Sequence, residues 1–116
     1  MRIYVICPVR NADPEVTNLV KAHVSKLEQE GHNVYWPPRD APQADPTGSA
    51  ICWTHWRAME MCDRVDVFWD VSSFGSHFDL GMAYGFGKSL RLVHLCVPDT
   101  MSKSYVKVMR GWPWND

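Results

Sequence analysis

Four short runs rich in β-branched and aromatic residues, RIYVIC (2–7), HNVYW (32–36), VDVFWD (65–70) and LRLVHLCV (90–97), alternate with stretches of helical periodicity. No other feature limits the fold as strongly. Runs of this length with apolar residues at successive positions suit strands covered on both faces. A strand, a helix and a further strand close through a right-handed crossover. The alternation predicts an α/β chain with a mainly parallel sheet of four to five strands and helices on both faces.

The first intervening stretch, DPEVTNLVKAHVSKLEQEG, has Asp13 as N-cap, Pro14 at the first helical position and Gly31 as the stop, with Val16, Leu19, Val20, Val24 and Leu27 on one stripe. PPRDAPQADPTGS, with four prolines, predicts a surface loop. From Ser49 to Asp63, Ile51, His55, Ala58, Met59 and Cys62 recur at helical steps. SSFGSHFDLGMAYGFGK (72–88) supplies a further helix, DTMSKSYVKVMRG a last short one, and WPWND a tail. With the strand order 2-1-3-4, these elements form a flavodoxin-like three-layer sandwich, and 116 residues make a single domain, 1–116.

Twelve Lys and Arg against thirteen Asp and Glu leave no basic field for a long nucleic acid. A small anion needs only a helix start and one or two donors, so net charge does not exclude it. Cys7, Cys52, Cys62 and Cys96 show no C-x-x-C spacing and read as reduced core thiols. The five histidines are scattered, so neither a metal nor a cofactor is expected. No leader-like segment and no bilayer-length apolar run is visible, so no membrane partner and a cytoplasmic location are expected.

Ligands of an open parallel sheet bind beyond the carboxyl ends of the strands, where strand order reverses. Two loops meet there: CPVRN, carrying Arg10, and DVSSFGSHFD, carrying Ser72, Ser73, Gly75 and Ser76. A glycine and serine loop at a helix start offers N–H groups and hydroxyls, and an arginine adds a bidentate contact, so the parts fit a phosphate or carboxylate. Ser and Gly are also ordinary turn residues. Asp79 has two readings. Ser76, His77, Phe78 and Asp79 match the S-x-x-[DE] capping box, which makes Asp79 structural; its place at a helix start beyond the third strand makes it a carboxylate aimed into the cleft.

The segment CDRVDVFWDVSSFGSHFDLGMAYGFGKSLRLV, with Asp79, Leu80, Gly81, Met82 and Ala83 followed by Lys88, resembles the signature region of the nucleoside 2-deoxyribosyltransferases and the related deoxynucleoside 5'-monophosphate N-glycosidases. IYVICPVR is similar to that family's first strand, and VMRGW to the tail that its members lend to a neighbouring subunit. The resemblance implies cleavage or transfer of the N-glycosidic bond of a (deoxy)nucleoside or its 5'-monophosphate. Asp79 would be the nucleophile and Tyr4 would orient it, while Arg10, Ser73, Gly75, Ser76, His77 and Met109 would bind substrate. Trp36, Trp53 or Trp56 would stack on the base, and the assembly would be a homodimer or larger.

Two departures accompany it. The family carboxylate is usually Glu, and the family's second acid, expected on the helix before the third strand, falls at Arg57 or Ala58; Asp63, Glu60 and His55 are the candidates to replace it. A non-catalytic nucleotide-binding module on the same scaffold is the competing expectation.

Overall fold

The strand β1 (Arg2–Ile6) runs into helix α1 (Pro14–Gln29), whose first turn is fixed by the Asp13 carboxylate accepting from the Glu15 N–H and by Pro14, which has no N–H to leave unpaired. Then follow β2 (Asn33–Tyr35), α2 (Pro37–Asp40), α3 (Ser49–Met61), β3 (Arg64–Trp69), α4 (Phe74–Phe86), β4 (Ser89–Leu95) and α5 (Tyr105–Arg110). This computed structural model describes residues 1–115; Asp116, the end of the expected tail, lies outside them.

Four strands form one parallel sheet in the order β2-β1-β3-β4, as the alternation predicts. Its two faces are covered differently. Ile3, Val5, Val34 and Phe68 pack under Val16, Val20, Val24 and Leu27 of α1. On the other face Tyr4, Ile6, Val65, Val67, Trp69 and Leu90 meet Met59 of α3, Leu80 and Ala83 of α4, and Val106 and Met109 of α5. Since α1 covers its face alone among the described residues, Leu19, expected on its buried stripe, stays 47% exposed at the flank.

Three other expectations are corrected. The proline-rich loop contains the short helix α2, because Pro37 and Pro38 fit a first turn and Asp40 accepts from the Trp36 N–H. Cys52 is exposed on α3 and Cys96 half-buried, although all four thiols are free. The tail is docked: Trp112 is buried and donates from Nε1 to the Lys88 carbonyl at 2.6 Å, while the Asn115 side-chain oxygen accepts from the Leu90 N–H at 2.7 Å. Gly87 ends α4 at φ 64°, where a side chain would be strained and an added Cβ would lie 3.3 Å from the Trp114 ring.

One polar cluster interrupts the apolar layer under α1. Asp66 is fully buried on β3, and its carboxylate accepts from Arg64 Nε at 2.7 Å, Arg64 Nη2 at 3.1 Å and His23 Nε2 at 2.7 Å. Among the described residues no helix is long and apolar enough to cross a membrane.

Candidate active site

At the carboxyl ends of β1 and β3, where the connections diverge to opposite faces of the sheet, lies a cavity of about 540 Å³. The β1–α1 loop supplies Cys7, Val9, Arg10 and Asn11; the β3–α4 connection and the start of α4 supply Ser72, Ser73, Phe74, Gly75 and Asp79; Gln43, Ile51 and His55 close the side under α3. Asn11 sits at φ 57°, the left-handed conformation that Asn tolerates among side-chain-bearing residues, and it turns the chain sharply out of the strand.

Helix α4 begins one turn earlier than the capping-box reading requires. Ser73 is the N-cap, its Oγ accepting from the Ser76 N–H at 3.3 Å and pairing with Ser76 Oγ at 2.8 Å. Asp79 is therefore the sixth helical residue, too far along to reach back to the cap, and the capping-box role is excluded. The first-turn amides of Phe74 and Gly75 precede any intrahelical acceptor and lie on the cavity wall, so they stand ready for an anion. An added Cβ on Gly75 would meet no protein atom within 4 Å.

Asp79 is only 6% exposed, and its Oδ1 is buried without a hydrogen-bond partner. The Tyr4 hydroxyl, fully buried, is likewise unpartnered, although the two groups are close enough to influence each other's ionisation. Neither completes a hydrogen bond of normal geometry. Asp79 lines the cavity and the Tyr4 hydroxyl is buried behind it, and two orphaned polar groups so close together mark a place arranged for something other than stability. Burial pushes the Asp79 carboxyl up to about 7, an effect that Tyr4 partly opposes. Burial, followed by the charge of Asp79, holds the Tyr4 phenol far above its ordinary value, so Tyr4 stays protonated and can only donate toward the carboxylate.

Behind Tyr4 the polar side chains continue. The Tyr4 and Tyr35 rings lie 5.0 Å apart, and Tyr35 Oη is 2.8 Å from His55 Nδ1. Burial, then the Asp79 charge, raises Tyr35, which stays a neutral phenol in hydrogen-bonding contact with Nδ1. Burial also lowers the tendency of His55 to charge.

The structure thus brings together Asp79, Arg10, Ser73 and Gly75 around one hollow, with Tyr4 buried behind Asp79, and it separates the others. Ser76 is buried at 1% exposure with its hydroxyl taken by Ser73. Met109 is in the core, 2% exposed, because α5 turns it under the sheet. His77 donates from Nδ1 to the Ser73 carbonyl at 2.7 Å and faces a second, largely apolar cavity of about 520 Å³ bounded by Trp69, Tyr105 and Val106. Its position one step round the helix from Ser76 sends it to the far side of the β3–α4 loop. Trp36, Trp53 and Trp56 are absent from the first cavity, so no tryptophan stacks there. Lys88 of the quoted segment is structural, donating to the carbonyls of Glu60 and Cys62 at the end of α3.

Residues that the sequence did not single out for this site, Cys7, Asn11, Gln43, Ile51 and Phe74, complete the wall. Asn directly after Arg10 in a strand-to-helix turn was the one available signal; nothing local marks Gln43, which arrives through tertiary folding of the proline-rich segment.

Three solved structures share this architecture. The Clostridium botulinum CMP N-glycosidase BcmB aligns over 100% of this chain and 86% of its own, with 17% identity and a TM-score of 0.64. The 2-deoxyribosyltransferase of Bacillus psychrosaccharolyticus aligns over 97% and 82%, with 18% identity and a TM-score of 0.72. The chain has the nucleoside 2-deoxyribosyltransferase-like fold. A conserved protein from Enterococcus faecalis V583 has it too, at 15% identity over 98% of this chain and 77% of its own, with a TM-score of 0.64. No family model matches the sequence, and no curated protein matches it. At these identities the likeness concerns the path of the backbone, and the chemistry has to be argued from the side chains.

Proposed function

We propose that this chain cleaves or transfers the N-glycosidic bond of a (deoxy)nucleoside or its 5'-monophosphate, with Asp79 as the nucleophile. The observation that carries the reading is Asp79 itself, a cavity-lining carboxylate with one oxygen buried and unpartnered, in a cavity that Arg10 and the open start of α4 also line. In the ionised state Asp79 attacks the anomeric carbon and the bond to the base breaks, leaving a glycosyl ester that water or a second base then opens. Tyr4, unable to ionise, directs its hydroxyl at the carboxylate and restrains it between attack and release. A 5'-phosphate lies against the Phe74 and Gly75 amides, the Ser73 hydroxyl and the Arg10 guanidinium. The fold shared with an N-glycosidase and a deoxyribosyltransferase supports the same class of reaction.

The test is incubation of the protein with a panel of nucleosides and 5'-monophosphates, followed by chromatography for free base. Release from at least one substrate is expected, and none from any would refute the proposal. Arg10→Ala is expected to raise KM for a 5'-monophosphate about 10- to 100-fold, the value of a charge-assisted contact, and to leave the corresponding nucleoside within about threefold. Parallel losses on both substrates would remove Arg10 from the phosphate.

A second reading, a nucleotide-binding module without catalysis, is favoured by one observation: Asp stands where the resembled family usually has Glu. One methylene less retracts the carboxylate, and a displacement of about 1 Å can cost about a hundredfold in rate. Binding without base release would support it.

Assembly as a homodimer belongs to the same proposal. Phe74 is 89% exposed, Phe78 50% and Trp53 59%, and with Trp56, stacked on Trp53 at 5.3 Å, and Phe86, which carries the Lys88 ammonium over its ring, they make α3 and α4 rich in exposed aromatic surface up to the rim of the cavity. Given the size of aromatic side chains, these groups offer roughly 600 Å², a large part of the roughly 800 Å² that each partner buries in a standard interface. Light scattering is expected to report twice the chain mass, and Trp53→Glu with Phe78→Glu to halve it; a monomeric parent protein would refute this.

A further inference from the structure

Departure of a base from a sugar leaves an electron pair on a base nitrogen, and Asp79 and Tyr4 sit where they serve the sugar. The three side chains that could assist the base are separated by the structure. Asp63 is occupied at the opposite end of the sheet, its carboxylate accepting from the Arg2 N–H at 2.7 Å. Glu60 lies near the exposed end of α3, where its carbonyl receives Lys88. His55 alone lines the cavity that holds Asp79.

We propose that His55 is the catalytic residue that hydrogen-bonds the departing base through Nε2–H, and that Tyr35 is the positioning residue that sets its tautomer. The inference rests on the glycosidic reading above and adds the group that reading lacks. Three observations support it. The Tyr35 hydroxyl pairs with Nδ1 at 2.8 Å, and donation by the phenol there would leave the imidazole proton on the other ring nitrogen. Among the described residues Nε2 has no protein partner, although His55 is half-buried. The imidazole packs edge-on against both Tyr4 at 6.1 Å and Tyr35 at 5.7 Å between ring centres, so its plane is held beside the residue that faces Asp79.

The steps balance without a cationic acid. Asp79 forms a bond to the anomeric carbon as the carbon–nitrogen bond breaks, and the electron pair passes to the base. Negative charge that spreads to a carbonyl oxygen or ring nitrogen of the base is met by Nε2–H, which keeps its proton. Water protonates the freed base, and the hydroxide so formed opens the glycosyl ester, regenerating Asp79. The sum is hydrolysis: glycoside and water give sugar and free base. Burial keeps His55 neutral, which suits a fixed dipole aimed at developing charge.

The test compares leaving groups. His55→Phe is expected to lower kcat about 100-fold on the best substrate of the base-release panel and less than about threefold on the nitrophenyl glycoside of the same sugar, whose leaving group needs no help. His55→Gln, which keeps an N–H donor and checks against misfolding, is expected to stay within about tenfold of the parent on the natural substrate. Equal losses on both substrates, no loss on the natural one, or a Gln variant as slow as Phe would overturn the role of His55 while leaving Asp79 chemistry intact. A parent protein that releases neither base nor nitrophenolate would overturn the glycosidic reading and this inference with it.

Discussion

Asp79→Asn is expected to abolish base release, by at least about a thousandfold, and to make the protein more stable at the same time. The two effects share one cause. A carboxyl held at about 7 by burial is a group whose charged form the folded protein disfavours. Below about pH 4 both folded and unfolded chains carry the proton and nothing is lost. Between about 4 and about 7 the unfolded chain ionises first, so stability falls as pH rises, and above about 7 the full penalty, about 4 kcal/mol, persists. The amide removes it. Melting temperatures of parent and variant should diverge at about pH 8 and converge at about pH 4. In the parent, kcat/KM should rise with pH through an apparent pKa of about 7, as expected of a nucleophile that must be ionised. An Asn variant that keeps its activity, or one destabilised at alkaline pH, would show that Asp79 serves the fold and not the reaction.

Asp66→Ala is expected to cost about 3 to 5 kcal/mol in chemical denaturation, the largest stability loss anticipated for one substitution in this chain. Three donors converge on that fully buried carboxylate, two from Arg64 and one from His23. Its removal strands a guanidinium that is only 14% exposed. The double substitution of Asp66→Val with Arg64→Met should recover much of the loss, because an apolar replacement leaves no charge unpaired. If Asp66→Ala were neutral, the cluster would have to be accessible to water, contrary to its place beneath α1. Activity is not expected to change in proportion, since the cluster lies on the face of the sheet opposite α3 and α4.

The parts of the molecule that were legible in the sequence depend on local chemistry. Asp13 and Pro14 announce α1 without reference to anything distant, and four apolar runs separated by helical patterns imply a parallel sheet with reversed order at its centre. Arg10, Ser73 and Asp79 could be placed near one another because strand ends, not side chains, decide which loops are neighbours. Selection among equivalent residues was not legible. Ser72, Ser73 and Ser76 are all competent caps, and the structure gives the role to Ser73, with the first helical turn starting at Phe74. That three-residue shift sends Ser76 inward and His77 to the far side, and it frees Asp79 from its backbone. Gln43 and His55 reach the site through long-range packing, and the burial of Met109 depends on how α5 lies against the sheet, which no local pattern records.

The contact between Asn115 and the Leu90 amide bears on how the chain avoids sticking to itself. With β4 outermost in the sheet, its free row of main-chain groups is a template on which another strand can add, and a single side-chain amide near the terminus occupies one of those positions. Trimming the chain after Gly111, or fusing a bulky tag that pulls Trp112 away, would bare that border and invite accretion of misfolded or swapped copies while leaving every residue of the cavity in place. Trp112 and Asn115 thus cover part of an edge strand, and they do so at a distance from any chemistry.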